Sequence, residues 1–216
     1  MAGLKRAPGF TLVELMLATL IFSMVIAGLA AIYTTAFSQS GAVLRDARLK
    51  TTAMVAFKGM TQNLVSATRL DSPPKGGSGN VLRGCTNMAP DGVQNTAAVA
   101  FGSFGYCVQP GAVGTCGTPE APAPCLYQYN WANICPSPVL SNGNCGSTVG
   151  GAVPEFVASR VMVPASIPNY FVRTTAMAAG NQVHIGMVFQ RDATGKIPVM
   201  QYEVQTVANT QFDARL

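Results

Sequence analysis

The chain of 216 residues is 49% hydrophobic and only 11% charged, which excludes a disordered protein and indicates more apolar surface than an ordinary core buries. Its formal charge is +5, of which Lys5 and Arg6 near the N-terminus supply two units, and the other basic residues are scattered along the chain. We therefore expect no nucleic acid among its main partners.

The first element in chain order is an uncharged stretch of 30 residues between Glu14 and Arg45. As a helix it measures about 45 Å, which exceeds the roughly 30 Å hydrocarbon core of a membrane. We predict a transmembrane segment at residues 15–37 within it. Residues 1–9, which carry two basic side chains, form a short leader ahead of this segment.

A single helix is predicted over residues 10–70, because this stretch contains no proline and only three glycines. Its second half is amphipathic, with one mostly apolar stripe and with Arg45, Lys50 and Lys58 lying off that stripe. The stripe consists of Leu44, Ala47, Met54, Phe57, Thr61, Leu64 and Val65. We expect this half of the helix to pack against a water-soluble domain.

The sequence "DSPPKGGSGN" at residues 71–80 combines two prolines with three glycines and predicts a helix stop followed by a linker. Residues 81–216 then form a head of strands and loops. The strand candidates are residues 96–109, 124–132, 169–177, 182–190 and 197–207, with a hairpin turn at residues 191–196.

The last three strand candidates alternate apolar and polar residues, as strands with one buried face do. The residues that share the apolar face are Val183, Ile185, Met187 and Phe189, followed by Met200, Tyr202 and Val204. We expect this face to cover the amphipathic half of the helix. The predicted fold is therefore α+β, with a long N-terminal helix packed by its second half on an antiparallel sheet.

Six cysteines fall within an insertion at residues 85–145, at Cys85, Cys107, Cys116, Cys125, Cys135 and Cys145. They are even in number and follow the predicted membrane segment, which favours three disulfides formed outside the cytoplasm. No C-x-x-C pair occurs, which argues against a zinc site. Three bridges allow 15 pairings, and the sequence does not choose among them.

The sequence shows no catalytic motif, and we predict no enzymatic activity and no cofactor. The single histidine, His184, lies on the strand face opposite Val183 and is expected at a surface or an interface. Asp192 in the hairpin turn offers a carboxylate to calcium. Aspartate is also common in turns that contain a glycine such as Gly195, because its side chain hydrogen-bonds the backbone. We therefore predict no metal site.

An aromatic group accompanies the cysteine-rich loops. It consists of Trp131, Tyr127, Tyr129, Tyr106 and Phe104. Two interpretations apply, because these residues either belong to the core of the head or form an exposed binding surface. We expect the core interpretation to hold.

The stretch "KRAPGFTLVELMLATLIFSM" at residues 5–24 resembles the N-terminus of the type IV pilin superfamily, which includes pilins, minor pilins and type II secretion pseudopilins. The shared pattern is a basic leader ending in Gly9, then Phe10, then Thr-Leu-Val, then Glu14 and a long apolar run. The specific match is confined to these N-terminal residues. A pilin-like fold is assigned to the head by analogy alone.

The resemblance implies cleavage between Gly9 and Phe10 by a membrane prepilin peptidase, N-methylation of Phe10, and assembly into a helical filament with other pilin or pseudopilin subunits. It also implies that Glu14 pairs with the terminal amine of Phe10 on a neighbouring subunit and so sets the axial register. A carboxylate in an apolar setting needs such a cation or must stay protonated. The expected location is the bacterial inner membrane, with the head in the periplasm, and a pilus or pseudopilus after assembly.

A secretory signal peptide and a generic single-pass anchor also begin with basic residues followed by an apolar run. The length of this run and the acid at its start favour the pilin-type interpretation. Three roles then remain. The size of the head favours a minor pilin or a minor pseudopilin over a major subunit. The first role is a minor pilin in pilus assembly or at the pilus tip. The others are a minor pseudopilin of a type II secretion system and an adhesive or DNA-uptake pilin.

Overall fold

The computed structural model of the chain describes residues 11–87, 101–112, 116–141, 143–174, 182–191 and 200–209. Within these ranges it contains one helix, α1 (Leu12–Ser66), and ten strands. The strands are β1 (Ala67–Ser72), β2 (Ser78–Gly79), β3 (Val81–Thr86), β4 (Gly102–Gln109), β5 (Cys125–Ala132), β6 (Glu155–Ser159), β7 (Val161–Met162), β8 (Phe171–Arg173), β9 (Gln182–Arg191) and β10 (Met200–Asn209). The fold class is α+β, as predicted. The chain divides into two compact units, unit 1 (Met1–Asp46) and unit 2 (Ala47–Leu216).

Unit 1 is helical from Leu12 onward, and every side chain from Thr11 to Ser40 is exposed. Among the described residues, α1 is the one helix that is long and apolar enough to cross a membrane. Apolar surface in water costs about 25 cal/mol per Å². The exposed leucines, isoleucines and phenylalanines of this segment therefore require lipid or other apolar chains around them, which agrees with anchoring in a membrane. The exact span of residues 15–37 stays a prediction.

Unit 2 contains two antiparallel sheets. Sheet A has the strand order β1-β3-β4-β5-β6, and sheet B has the order β10-β9-β8-β2, with β7 also paired to β9. β9 and β10 pair without a bulge from Arg191↔Met200 to Gln182↔Asn209, as expected for the predicted hairpin. Apart from Arg191, the predicted turn at residues 191–196 lies outside the described residues. The alternation predicted for β9 is confirmed by four buried side chains, Val183, Ile185, Met187 and Phe189.

One hydrophobic core joins the unit 2 part of α1 to both sheets, which confirms that this half of the helix packs on the sheet. The rings of Phe57 on α1 and Phe189 on β9 meet edge to face at 6.2 Å. Asn63 Nδ2 donates a hydrogen bond of 2.7 Å to the hydroxyl of Tyr106 on β4. Burial raises the pKa of Tyr106 to about 12, so the phenol stays neutral at physiological pH.

The buried stripe of α1 differs from the predicted one. Its members are Ala53, Ala56, Phe57, Met60 and Leu64, so that only two residues of the predicted stripe are buried. Met54 and Val65 are instead 58% and 46% exposed. The buried residues follow the i, i+3, i+4, i+7 spacing of one helix face, and Ala53, Ala56 and Met60 on that face were not part of the predicted stripe.

The helix also ends earlier than predicted, at Ser66 instead of residue 70. Residues from Ala67 onward form β1, which pairs with β3 and buries Leu70. Gly84 on β3 permits this pairing, because the Cβ atom of any other residue there would lie only 2.6 Å from the carbonyl oxygen of Arg69. The stretch predicted as a linker, residues 71–80, begins inside β1, and its Ser78–Gly79 pairs with β8 as strand β2.

The strand predictions for the head differ mainly in length. β4 begins at Gly102, and the part of its candidate before residue 101 lies outside the described residues. β8 covers three residues of the candidate at 169–177, of which residues 175–177 lie outside the described residues. β3, β6 and β7 have no counterpart among the predicted strands. Together these differences show that the sheets extend into a stretch that reads as loop in the sequence.

β6 and β7 form one extended segment that passes from sheet A to sheet B. β6 pairs with β5, and β7 pairs with β9. Arg160 stands between them with a φ of 52°, a left-handed conformation that non-glycine residues rarely adopt. Its N–H donates to the carbonyl of Pro122, and its carbonyl accepts from the N–H of Gln190, both at 3.1 Å. The corner at Arg160 therefore links the two sheets over their shared core.

Candidate functional site

Glu14 lies in the first turn of α1 and forms a reciprocal set of hydrogen bonds with Thr11. Glu14 Oε2 accepts from the Thr11 N–H and from the Thr11 hydroxyl, each at 3.1 Å. The Glu14 N–H donates in turn to Thr11 Oγ1 at 3.3 Å. This arrangement is a capping box, in which residues three apart satisfy each other's free backbone groups at a helix start.

The capping box gives the Glu14 carboxylate a second task beside the predicted docking role. A negative charge in the first turn is favoured by the helix dipole, and the cap occupies one of the two carboxylate oxygens. In the part of the chain that the structure describes, Glu14 makes no ion pair, and its Oε1 accepts no hydrogen bond. Gly9 and Phe10, the predicted cleavage and methylation residues, lie outside the described residues. Thr11 was not predicted as a site residue, although the T-x-x-E spacing is typical of a capping box.

The six cysteines form three disulfides. Cys85 pairs with Cys135, Cys107 with Cys145, and Cys116 with Cys125. The first two bridges tie β3 and β4 to the segment that follows β5, and the third closes a short loop ahead of β5. The predicted insertion at residues 85–145 is thus covalently fastened to sheet A.

A second core lies beneath the bridged loops, separate from the core against α1. Tyr129 and Trp131 of β5 stack with ring centroids 5.4 Å apart. Trp131 Nε1 donates to the carbonyl of Val149 at 2.7 Å, and the Tyr129 hydroxyl donates to that of Ser147 at 2.9 Å. Gly105 makes room for the indole of Trp131, because the Cβ atom of any other residue there would lie only 3.0 Å from the ring.

The predicted aromatic group is therefore core. Each of its five members is at most 4% exposed, and none forms an exposed binding surface. Burial raises the pKa of Tyr129. Its hydrogen bonds with Gly146 and Ser147 lower the pKa, but burial has the larger effect. The disulfides and the aromatic stack together convert a glycine- and proline-rich stretch into a packed layer on sheet A.

Asp71 at the end of β1 fastens the same layer by hydrogen bonds. Its side chain is 8% exposed and pairs with Arg69 Nε at 2.8 Å. It accepts from the Ser137 N–H at 2.9 Å and from the Ser137 hydroxyl at 2.7 Å. Arg83 Nη1 donates to the carbonyls of Ser137 and Pro138, and burial lowers the pKa of this guanidinium.

We expect Asp71→Ala to lower the free energy of unfolding by about 2–3 kcal/mol, because the buried Ser137 N–H loses its acceptor. Ser137→Ala is the matched control, since it removes only the hydroxyl and should cost about 1 kcal/mol. Urea unfolding of the detergent-solubilised chain, followed by the fluorescence of its single tryptophan, measures both. Equal losses in the two variants would argue against a carboxylate that anchors this layer.

The remaining predicted site residues do not come together. His184 is half-buried on β9 and lines a small cleft of about 220 Å³ with Ile167 and Gln205, in agreement with a surface position. Asp192 lies outside the described residues. Among the described residues, no three His, Cys, Asp or Glu side chains are grouped as a metal site requires, and the expectation of no metal stays a prediction.

Comparison with known families gives one match. A family model described as the prokaryotic N-terminal methylation motif matches residues 4–30. This segment includes Gly9, Phe10 and the capping box at Thr11 and Glu14, and its match supports a prepilin of the type IV pilin kind, a class of structural subunits. The motif is shared by minor pilins and pseudopilins and does not separate them. No curated protein and no solved structure matches the chain.

Proposed function

We propose that the chain is a structural subunit of a type IV pilus-like filament and that it serves as a minor pilin in pilus assembly or at the pilus tip. The observation that carries this proposal is the methylation motif at residues 4–30, which coincides with the start of α1, where the apolar side chains are all exposed up to Ser40. Such a helix needs apolar neighbours on all sides. The membrane supplies them before assembly, and the helices of other subunits supply them in the filament.

Processing prepares this helix for assembly. A prepilin peptidase removes residues 1–9, and the new terminus at Phe10 is methylated. The amine of Phe10 on one subunit then faces the open oxygen of Glu14 on its neighbour. The capping box supports this pairing, because it holds the carboxylate in a fixed position through two hydrogen bonds of 3.1 Å.

The proposed location is the bacterial inner membrane, with the head in the periplasm. Two features support this orientation. Lys5 and Arg6 precede the apolar run, and basic flanks favour the cytoplasmic side. The three disulfides belong to unit 2, and such bridges persist in oxidising compartments.

The proposal is tested by shearing filaments from cells that express the full chain and probing the filament fraction for it. We expect the processed chain in that fraction, in few copies relative to the major subunit, and fewer filaments in a strain that lacks it. Cells without the peptidase are the control and should retain the chain in the membrane. Absence of the wild-type chain from the filament fraction of cells that have the peptidase would contradict the proposed function.

A further inference from the structure

A cleft of about 440 Å³ opens in unit 2 beside α1. Its walls come from Arg48 and Thr52 on the helix, from β6 and the corner at Arg160, from the end of β9, and from the loop before β5. Neither the capping box nor the disulfide-bonded second core contributes to it.

One wall of the cleft is the free edge of sheet A. β6 is the last strand of that sheet, and in the described part of the chain no strand pairs with its outer edge between Glu155 and Ser159. Consecutive β6 residues from Phe156 to Ser159 line the cleft. Because successive side chains point to opposite faces of a strand, a cleft lined by consecutive residues follows the strand edge. This edge offers N–H and C=O groups for pairing, and it lacks the lysine or proline that commonly blocks strand addition.

The cleft is also basic. Arg48, Arg160 and Arg191 line it, against a single acidic residue, Glu120. Arg48 and Arg191 are exposed, and neither forms an ion pair with any residue that the structure describes. Guanidinium groups bind carboxylates through two parallel hydrogen bonds. An extended and acidic chain therefore matches both the shape and the charge of the cleft.

We propose that this cleft binds an extended, carboxylate-bearing segment of a different subunit of the same filament. The segment adds a strand to the edge of β6 over about 17 Å, and its acidic side chains pair with Arg48 and Arg191. This inference rests on the proposed function, because the filament supplies the neighbouring subunit.

A second copy of this chain does not provide such a segment. Two carboxylates on one face of a strand are spaced by two residues. In this sequence no stretch of ten residues contains two acidic side chains. The partner is therefore another subunit of the filament, with acidic residues close together in an extended stretch.

Charge reversal in the cleft is the first test. We expect the double variant Arg48→Glu/Arg191→Glu to lower recovery of the full chain in sheared filaments about tenfold. The double variant Arg48→Lys/Arg191→Lys keeps the charge and should retain most of the recovery. Lys58→Glu is the matched control, since Lys58 is exposed on the same helix but does not line the cleft, and should stay within about twofold of wild type. Wild-type recovery of the reversed variant, or an equal loss in the control, would overturn the proposal.

Photo-crosslinking in living cells is the second test, and it needs no charge reversal. A benzoylphenylalanine replaces Gln190, which lines the cleft, or Gln62, an exposed control residue on α1 that does not line it. We expect the probe at position 190 to link to a peptide of another filament subunit that contains at least two acidic residues. No link, a link within the same chain, or a link to a second copy would each overturn the proposal.

The two proposals fail in different ways. If the wild-type chain is missing from filaments, the proposed function is wrong. If the wild-type chain is present and the reversed variant enters filaments equally well, only the cleft proposal is wrong.

Discussion

Substituting glutamine for Glu14 is expected to lower recovery of the subunit in filaments about a hundredfold while α1 still begins at Leu12. Glutamine at this position of a capping box still accepts the hydrogen bonds of Thr11. It carries no charge, however, and so leaves the terminal amine of the neighbouring Phe10 without its partner. The variant thus separates the docking role of Glu14 from its capping role.

Glu14→Ala and Thr11→Val serve as companion variants, measured in the same sheared filament fraction. Glu14→Ala removes both the charge and the cap, and we expect it to assemble no better than Glu14→Gln. Thr11→Val removes the hydroxyl of the cap and keeps the carboxylate, so its loss should be smaller. Normal assembly of Glu14→Gln together with failure of Glu14→Ala would show that capping alone explains the acid. The charge pairing with Phe10 would then be wrong.

Loss of the Cys107–Cys145 bridge is expected to lower the free energy of unfolding by about 4 kcal/mol, as chain entropy predicts for a separation of 38 residues. Both cysteines and Trp131 belong to the second core, so the fluorescence of this single tryptophan reports the transition. The double variant Cys107→Ala/Cys145→Ala avoids a leftover thiol. Urea unfolding of the detergent-solubilised chain measures the change.

The Cys116–Cys125 bridge is the internal control, because it closes a separation of nine residues and should contribute about 2.5 kcal/mol. The ranking of the two variants matters more than either value. If removal of the nine-residue bridge destabilises unit 2 more, the larger bridge does not hold the second core.

The sequence predicts those features that rest on local chemistry. The uncharged run after Glu14 predicts a long helix, and the alternation around Val183 predicts the buried face of β9, and both are observed. The even number of cysteines after a membrane segment indicates three bridges. Each of these predictions uses a run length, a residue spacing or a cysteine count, and none of them requires knowledge of the partner strand.

Features that depend on a distant partner escaped prediction. Residues after Ser66 leave the helix because β3 offers Gly84 as a pairing partner, and no local signal records that glycine. The buried face of α1 is set by which side of the helix meets the sheets, so that Ala53, Ala56 and Met60 are buried and Met54 and Val65 are not. β6 and β7 were missed because Arg160 interrupts the alternation at the point where the chain changes sheets.

The candidate site was predicted only in part for a similar reason. The T-x-x-E spacing of Thr11 and Glu14 is present in the sequence. Glu14 was interpreted only through its predicted docking role, and its capping hydrogen bonds with Thr11 were therefore not predicted. The cleft at β6 combines Arg48, Arg160 and Arg191, which are far apart in sequence. Only the fold brings these arginines to one edge.

The intact mass of the full protein extracted from membranes tests the central claim most directly. A filament subunit processed at its N-terminus should lack residues 1–9, carry one methyl group on Phe10, and be lighter by six hydrogens for its three disulfides. A chain that still carries residues 1–9 in cells with an active prepilin peptidase would contradict the claim.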